Sequence, residues 1–508
     1  MSPTPLNEFN VVTKDSSRVE ILFGYCYPST YRAGMTGLAL HILYATLNSR
    51  NDTSCERYFR FDTPSPSHSL ESNRPLKENH IVGFSLTYEE DIIHLIQMLE
   101  QGGIPVVVEK RDENDPIVVV GGPVVSANPE PFVDFIDAFV IGEGDLIVHD
   151  IVDTVKDCDS REEAMTRLSE LSGIYVPTIP KSSVSRNIIS ELDSLPYPTT
   201  QIVPDVPEGS HLESVFGRSF LLEVTRGCGH SCRFCLVGHI CRPRRTRSLK
   251  RLKELIKLGR EDTPTNKVSM IGSSLGDLDG LEDLVCWTVE QGLKVSVPSL
   301  RADSVTKSLL DCLVMSGQRT LTIAPESGST RMRNIMGKRL DDTDIDNAVE
   351  VANEAGYNSL KLYFIIGLPE ETDEDVRATV DMITKIGRTT GLKVTASINP
   401  FIPKAQTRWE REPQPPIAEI RRKIKLVEKG VRGTSRVTVE TLDPRNARIQ
   451  AALSLGDRSL GPVIRKASKY GGLGGWRRAE KETKIPLFSL ANDAERLKGL
   501  LPWSFLGK

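Results

Sequence analysis

Residues 219–238 read SFLLEVTRGCGHSCRFCLVG, and three cysteines, Cys228, Cys232 and Cys235, fall within eight positions directly after an apolar run. The run reads as a β-strand, which puts the thiols on the loop at its carboxyl end. Thiolates spaced Cys-x3-Cys-x2-Cys can close on one side of a metal centre. Two centres suit the loop: an iron–sulfur cube held by three sulfurs, which leaves one iron open to a ligand, and a zinc ion completed by His230, His239 or Cys241. The other six cysteines, Cys26, Cys55, Cys158, Cys241, Cys286 and Cys312, are scattered singly. That pattern argues against a secreted disulfide framework and for a reducing compartment.

Working outward, SFLLEV is the first of six β-branched or apolar runs: KVSMIGS, KVSVPSL, RTLTIAP, SLKLYFIIGLP and KVTASINPF follow, mostly with helical stretches between them. Such alternation predicts parallel βα units, and six of them over residues 217–412 suggest a partial barrel. Upstream, VEILFGY, HIVGFSL, PIVVVGG and DAFVIGEGD read as strands, with GLALHILYATLNSR and EEDIIHLIQMLEQGG as helices. This is a doubly wound α/β domain spanning 1–179. Its ligand side should be the loops beyond the strand ends, CYPSTYRAG, SLTYEED, GGPVVSANPEP and GEGD. Residues 180–216, rich in proline and serine, read as a linker draped over a domain. Residues 413–508 read as a small, more basic accessory domain with a glycine-rich surface loop, YGGLGGW.

The chain has 508 residues, 39% hydrophobic and 26% charged, with a net charge of −4. Those values leave no bulk electrostatic argument for nucleic acid or a membrane. The N-terminus lacks the basic and apolar regions of a signal peptide, and no apolar run reaches ~18 residues, which points to the cytoplasm.

The segment CGHSCRFC, with an aromatic before its third cysteine, resembles the signature of radical S-adenosylmethionine (SAM) enzymes. The resemblance implies a 4Fe-4S cluster on Cys228, Cys232 and Cys235 whose open iron chelates SAM. Four further segments resemble the superfamily's SAM motifs in order. SMIGSSLGD implicates Gly272, Ser273 and Ser274; PSLRAD and APESG offer Ser299, Arg301 and Glu326; YFIIGLPEE offers Ile365, Gly367 and Glu370, with Tyr363 where a glycine is usual.

The first domain resembles the flavodoxin-like cobalamin-binding domain of one large class of these enzymes. GFSLT and VGGP resemble the parts that hold the nucleotide tail, through Ser85, Thr87, Gly121 and Gly122, and Tyr27, Tyr31 and Tyr88 lie on loops that could face the corrin. The usual Asp-x-His-x-x-Gly loop is replaced by CYPSTYRAG, so the resemblance implies cobalamin without a histidine lower ligand. Methylthiotransferases share this domain order, but only Cys26 is available for their second cluster.

GHICRPRRTRS, RIQAALSLGDRSLGPVI and LPWSF are similar to a group of cobalamin-domain radical enzymes, most of all to archaeal glutamine C-methyltransferases of methyl-coenzyme M reductase. What this implies is methylation of an unactivated carbon, with hydrogen abstraction by a 5′-deoxyadenosyl radical and methyl supplied by methylcobalamin. The expected partners are a protein or peptide substrate and an electron donor, with no membrane and no nucleic acid. A non-methylating rearrangement or cyclisation is the alternative. The arginines between Arg242 and Arg247 are expected near the SAM carboxylate or a substrate.

Overall fold

The computed structural model describes residues 6–60 and 67–507. Two parallel sheets organise them. The first contains β1 (Ile21–Tyr27), β2 (Thr53–Phe59), β3 (Ile81–Ser85), β4 (Ile117–Gly121), β5 (Ala138–Val140) and β6 (Ile174–Tyr175), in the order β2-β1-β3-β4-β5-β6. The first five are parallel and β6 is antiparallel to β5. This is the flavodoxin-like order with one strand added, so the switch point lies between β1 and β3.

Strand β2 is absent from the sequence reading because TSCERYF carries charges where a buried strand normally has aliphatics. All seven of its residues are buried. The charges are paired: Arg57 meets Glu71 at 2.6 Å and Glu8 at 2.7 Å, and Arg74 meets Glu56 at 2.7 Å. A buried ion survives only with such partners, which come from segments distant in sequence.

The second sheet is an open arc of seven strands: β7 (Phe220–Glu223), β8 (Lys267–Ile271), β9 (Lys294–Ser296), β10 (Thr320–Glu326), β11 (Ser359–Ile366), β12 (Lys393–Pro400) and β13 (Val437–Thr441). Their order is β7-β8-β9, then β10-β11-β12-β13, joined by a parallel bridge between Leu300 and Ile323. The six expected strands are present, and β13 extends them. The reading missed it because VTVET is a short, half-exposed edge strand.

Beyond residue 413 the chain packs against both sheets. Helix Ile417–Gly430 and β13 complete the arc, while helices Pro444–Leu455, Gly461–Tyr470 and Gly472–Thr483 share one apolar core with the first sheet's helix Ile92–Gln101. Asn128 anchors this union by donating from Nδ2 to the Ser454 and Gly456 carbonyls at 3.0 and 2.9 Å. YGGLGGW is not a surface loop: it opens helix Gly472–Thr483, whose Trp476 and Ala479 are buried. Packing of that face overrides the low helix propensity of glycine.

Within the stretch 180–216, Val203–Pro204 pairs antiparallel to Glu8–Phe9 and Asn187 bridges Gly142. The expectation of free thiols is corrected at one place: Cys286 and Cys312 form a disulfide between neighbouring helices. Among the described residues no helix is long and apolar enough to cross a membrane.

Candidate functional site

The cysteine loop leaves β7 through Thr225 and Arg226 and turns at Gly227, whose φ is +76°. A Cβ there would lie 2.0 Å from the Cys241 carbonyl oxygen, so only glycine lets the loop close on residues 241–243. On its other side the loop rests on Gly337: the Arg233 N–H donates to the Met336 carbonyl at 2.8 Å, and the Cys232 thiol lies 3.8 Å from the Gly337 oxygen. Phe234 packs into a small apolar cluster with Met332, Met336, Leu368, Phe401, Trp409 and Ile365. The aromatic before the last cysteine thus fastens the loop to the end of β11.

Burial pushes the Cys232 thiol up to about 11, against the pull of Lys338, with Cys235 and Glu326 adding to the rise and Arg301 opposing it. Burial also raises the Cys235 thiol, with Cys228 and Glu326 contributing. The three sulfurs and the charged groups therefore share one neighbourhood. Bare thiolates are disfavoured in it, and a cationic inorganic centre would relieve that cost.

Among the described residues no three His, Cys, Asp or Glu groups gather closely enough for a single metal ion. Of the two candidate histidines for zinc, His230 Nε2 is 2.9 Å from Asp277, and His239 Nδ1 is 2.7 Å from the Cys235 carbonyl while its buried Nε2 has no hydrogen-bond partner among the described residues. Cys241 lines a cavity on the far side of the loop. Three thiols on one loop are the donor set that a four-iron cube with one open iron takes.

The other motif residues lie at the carboxyl ends of the arc. Gly272 ends β8, where a Cβ would meet the Thr225 hydroxyl at 2.5 Å. Buried Ser274 donates to Asp277 at 2.7 Å, while Ser273 and Ser299 are exposed. Arg301 pairs with Asp303 at 2.7 Å. Glu326 sits at a bulge of β10 with φ +69° and accepts from Lys338 at 3.1 Å. A non-glycine residue in the left-handed region is costly and marks sites that tertiary structure enforces.

Ile365 is the penultimate residue of β11 and Gly367 directly follows the strand. The Glu370 backbone is also left-handed, φ +64°, but its neighbour Glu371 holds the buried position. Glu371 accepts from the Gly367 N–H at 2.8 Å and pairs with Lys423 at 3.0 Å. Lys338, which lies in no quoted motif, and Glu371, the last residue of YFIIGLPEE, where Glu370 was taken instead, were missed by the sequence reading.

The first domain holds a cavity of about 390 Å³ between its sheet and helices Leu38–Asn48 and Ile147–Lys156. Its wall is largely apolar, with Phe23, Leu38, Ile42, Val119, Val140 and Ile151, and the small residues Gly83, Ser85, Thr87, Gly121 and Gly122. Four core residues, Glu223, Arg226, Cys241 and Ile271, complete the wall, so the cavity opens toward the cysteine loop. No histidine lines it among the described residues.

The structure brings Ser85, Thr87, Gly121 and Gly122 together there but not the three tyrosines. Tyr31 is drawn into the charged core, donating to Glu8 at 2.7 Å; Tyr88 donates to Glu90 at 2.9 Å; Tyr27 lies 3.4 Å from the Thr87 hydroxyl, outside the wall.

Two residues of the arginine run are held by acids. Arg245 pairs with Glu143 at 2.8 Å and Arg247 with Glu223 at 2.9 Å. Arg226, in the same network, binds Asp145 with both guanidinium nitrogens at 2.9 and 3.0 Å. Arg245 and Arg226 thus tie the second domain to Glu143 and Asp145 of the first at the cavity mouth, while Arg247 binds Glu223 within its own domain.

Residues 39–177 match the family described as Radical SAM proteins, N-terminal, and residues 222–383 match the Radical SAM superfamily. An uncharacterized protein of Methanocaldococcus jannaschii is 32% identical over 438 residues, covering 86% of this chain and 89% of that one. A Pyrococcus horikoshii protein described as an uncharacterized methyltransferase is 26% identical over 291 residues, 55% of this chain and 60% of that one. Among solved structures, the radical SAM methyltransferase TsrM of Kitasatospora setae, with cobalamin and a 4Fe-4S cluster bound, superposes with a TM-score of 0.58 at 13% identity. That likeness, over 94% of this chain and 99% of that one, is one of fold.

Proposed function

From the premise that this chain belongs to the radical SAM superfamily, we propose that it is a cobalamin-dependent C-methyltransferase acting on an unactivated carbon of a protein. One observation carries the reading: the apolar cavity of the first domain opens onto the same strand ends that hold the three thiols, with Arg226 and Cys241 in its wall. When bound, the cluster with SAM supplies a hydrogen-abstracting radical, and the corrin supplies a methyl group.

The chain's own residues would bind and orient these groups. Cys228, Cys232 and Cys235 would hold the iron; Gly272, Glu326 and Arg301 would border SAM, with Lys338 neutralising Glu326. The slot at Ser85, Thr87, Gly121 and Gly122 would take the nucleotide tail of the corrin, its apolar wall excluding water. Cys26, the one thiol available for a second cluster, is fully buried inside β1, which disfavours sulfur insertion.

The substrate we propose is a glutamine side chain of methyl-coenzyme M reductase, supported by the resemblance of residues 238–248, 448–464 and 501–505 to that group. The test is an anaerobic assay with SAM, cobalamin, reductant and a peptide carrying that glutamine. A product heavier by one methylene, with equal S-adenosylhomocysteine and 5′-deoxyadenosine, is expected. 5′-Deoxyadenosine without S-adenosylhomocysteine would replace this reading with a rearrangement or cyclisation.

A further inference from the structure

Tyr25, on β1, is 3% exposed and lines the first-domain cavity, yet its hydroxyl has no hydrogen-bond partner. Among the described residues, no other residue of that wall carries a buried side-chain nitrogen or oxygen in this condition. The charged groups at the mouth are paired: Glu143 with Arg245, Asp145 with Arg226 and Glu223 with Arg247. Thr87 stands 3.4 Å from the Tyr27 hydroxyl. The Ser85 hydroxyl is close to Tyr25 without a bond closing between them.

A buried phenol without a partner forfeits the hydrogen bond that water would give it, and folded proteins rarely leave one so. The sheet also keeps room beside it. Gly83 of β3 pairs with Tyr25, and Val119 of β4 pairs with Gly83. A Cβ at Gly83 would lie 2.7 Å from the Phe23 ring, so glycine lets that ring lie across the neighbouring strand. With Phe23, Leu38, Ile42, Val119 and Ile151 in the same wall, the hydroxyl is a donor set into an apolar slot. Burial pushes the phenol well above its ordinary range, Cys55 adding to the rise and Ser85 opposing it, so it stays a neutral O–H around neutral pH.

We infer that Tyr25 is the residue that selects the base at the end of the corrin's nucleotide tail, by donating its O–H to the ring nitrogen that bears no sugar. The inference rests on the proposed reading of this cavity as the seat of that tail. A benzimidazole base is a planar apolar ring with one such nitrogen, whose lone pair lies in the ring plane. Inside an apolar slot and away from the cobalt, that lone pair needs a donor, or its lost hydration goes uncompensated. An apolar slot with a single unengaged donor is the complement of an apolar ring with a single acceptor. A cobamide whose base is a phenol has no ring nitrogen to offer, and a site built for a hydrogen bond discriminates against the analogue that lacks it.

The test is equilibrium dialysis of the full chain, wild type and Tyr25→Phe, with three probes: hydroxocobalamin; p-cresolylcobamide, whose base has no ring nitrogen; and cobinamide, which has no base. Wild type should hold hydroxocobalamin about tenfold more tightly than p-cresolylcobamide, the order of one buried hydrogen bond. Tyr25→Phe should lose that tenfold on hydroxocobalamin, while its affinity for the other two probes stays within about twofold of wild type.

A second readout separates recognition from folding. Because the hydroxyl bonds nothing in the protein, Tyr25→Phe without corrin should unfold at a urea midpoint no lower than that of wild type. An equal loss on all three probes, or a wild type that does not prefer one cobamide over the other, would overturn the inference. So would a lower urea midpoint, which would make the hydroxyl a support of the sheet. A wild type that retains none of the probes would instead defeat the cobalamin reading of the cavity, and the inference with it, whereas binding without selectivity defeats the inference alone.

Discussion

The cysteine loop and the first-domain cavity face each other across the Arg226 clamp, yet they are built in opposite ways. The loop is eight consecutive positions whose chemistry is in its residue types; the cavity is assembled from β1, β3, β4, β5, two helices and the core. One substitution should therefore abolish what the loop does. The cavity should respond to volume, position by position.

The largest expected effect lies on the loop. Replacing Cys228, Cys232 and Cys235 together by alanine should drop iron from about four per chain to none, while corrin binding persists. Loss of both would break the comparison by showing that the two regions fold as one.

In the cavity, Gly121→Leu is the corresponding probe. A Cβ at Gly121 meets only Val140, at 3.6 Å, so the added side chain enters the slot without backbone strain. Corrin affinity should fall by about tenfold, the order of one overfilled apolar site. Iron content should not change, and equilibrium dialysis with hydroxocobalamin reads the difference.

The clamp itself should matter mainly to stability. Arg226→Gln strands the largely buried Asp145, while Glu223 keeps Arg247, and should cost about 3 kcal/mol in denaturant unfolding. A loss below about 0.5 kcal/mol would mean that the domains meet without it.

A smaller, pH-dependent effect belongs to the cavity side. His41, buried on helix Leu38–Asn48, has its pKa lowered from 6.5 to about 4, mainly by burial. A depressed folded pKa contributes stability that is present above the unfolded value and lost as pH falls through the folded one. Wild-type stability should thus decline between pH 6.5 and about 4, by up to about 3 kcal/mol, and His41→Gln should flatten part of that decline. Identical pH profiles for the two proteins would remove His41 from the account.

What could be read in advance follows the same division. The thiols, Gly272, Glu326 and Gly367 are contiguous motif residues at strand ends, and the alternation of apolar runs announced both sheets. Strand β2 escaped because its charges pair with Glu8 and Glu71, far along the chain, and periodicity carries no trace of a partner. The three tyrosines lie outside the cavity wall for a related reason: chain position does not say where a ring points, and Glu8 draws Tyr31 inward. Cys241 was read as a candidate zinc ligand, and only the fold shows it walling the cavity.

The most direct test of the central claim is metal analysis of the chain purified anaerobically after expression with cobalamin. The account predicts about four irons and one cobalt per chain, with the absorption and paramagnetic resonance of a four-iron cluster altered by SAM. Zinc in place of iron, or iron with no cobalt retained, would contradict it.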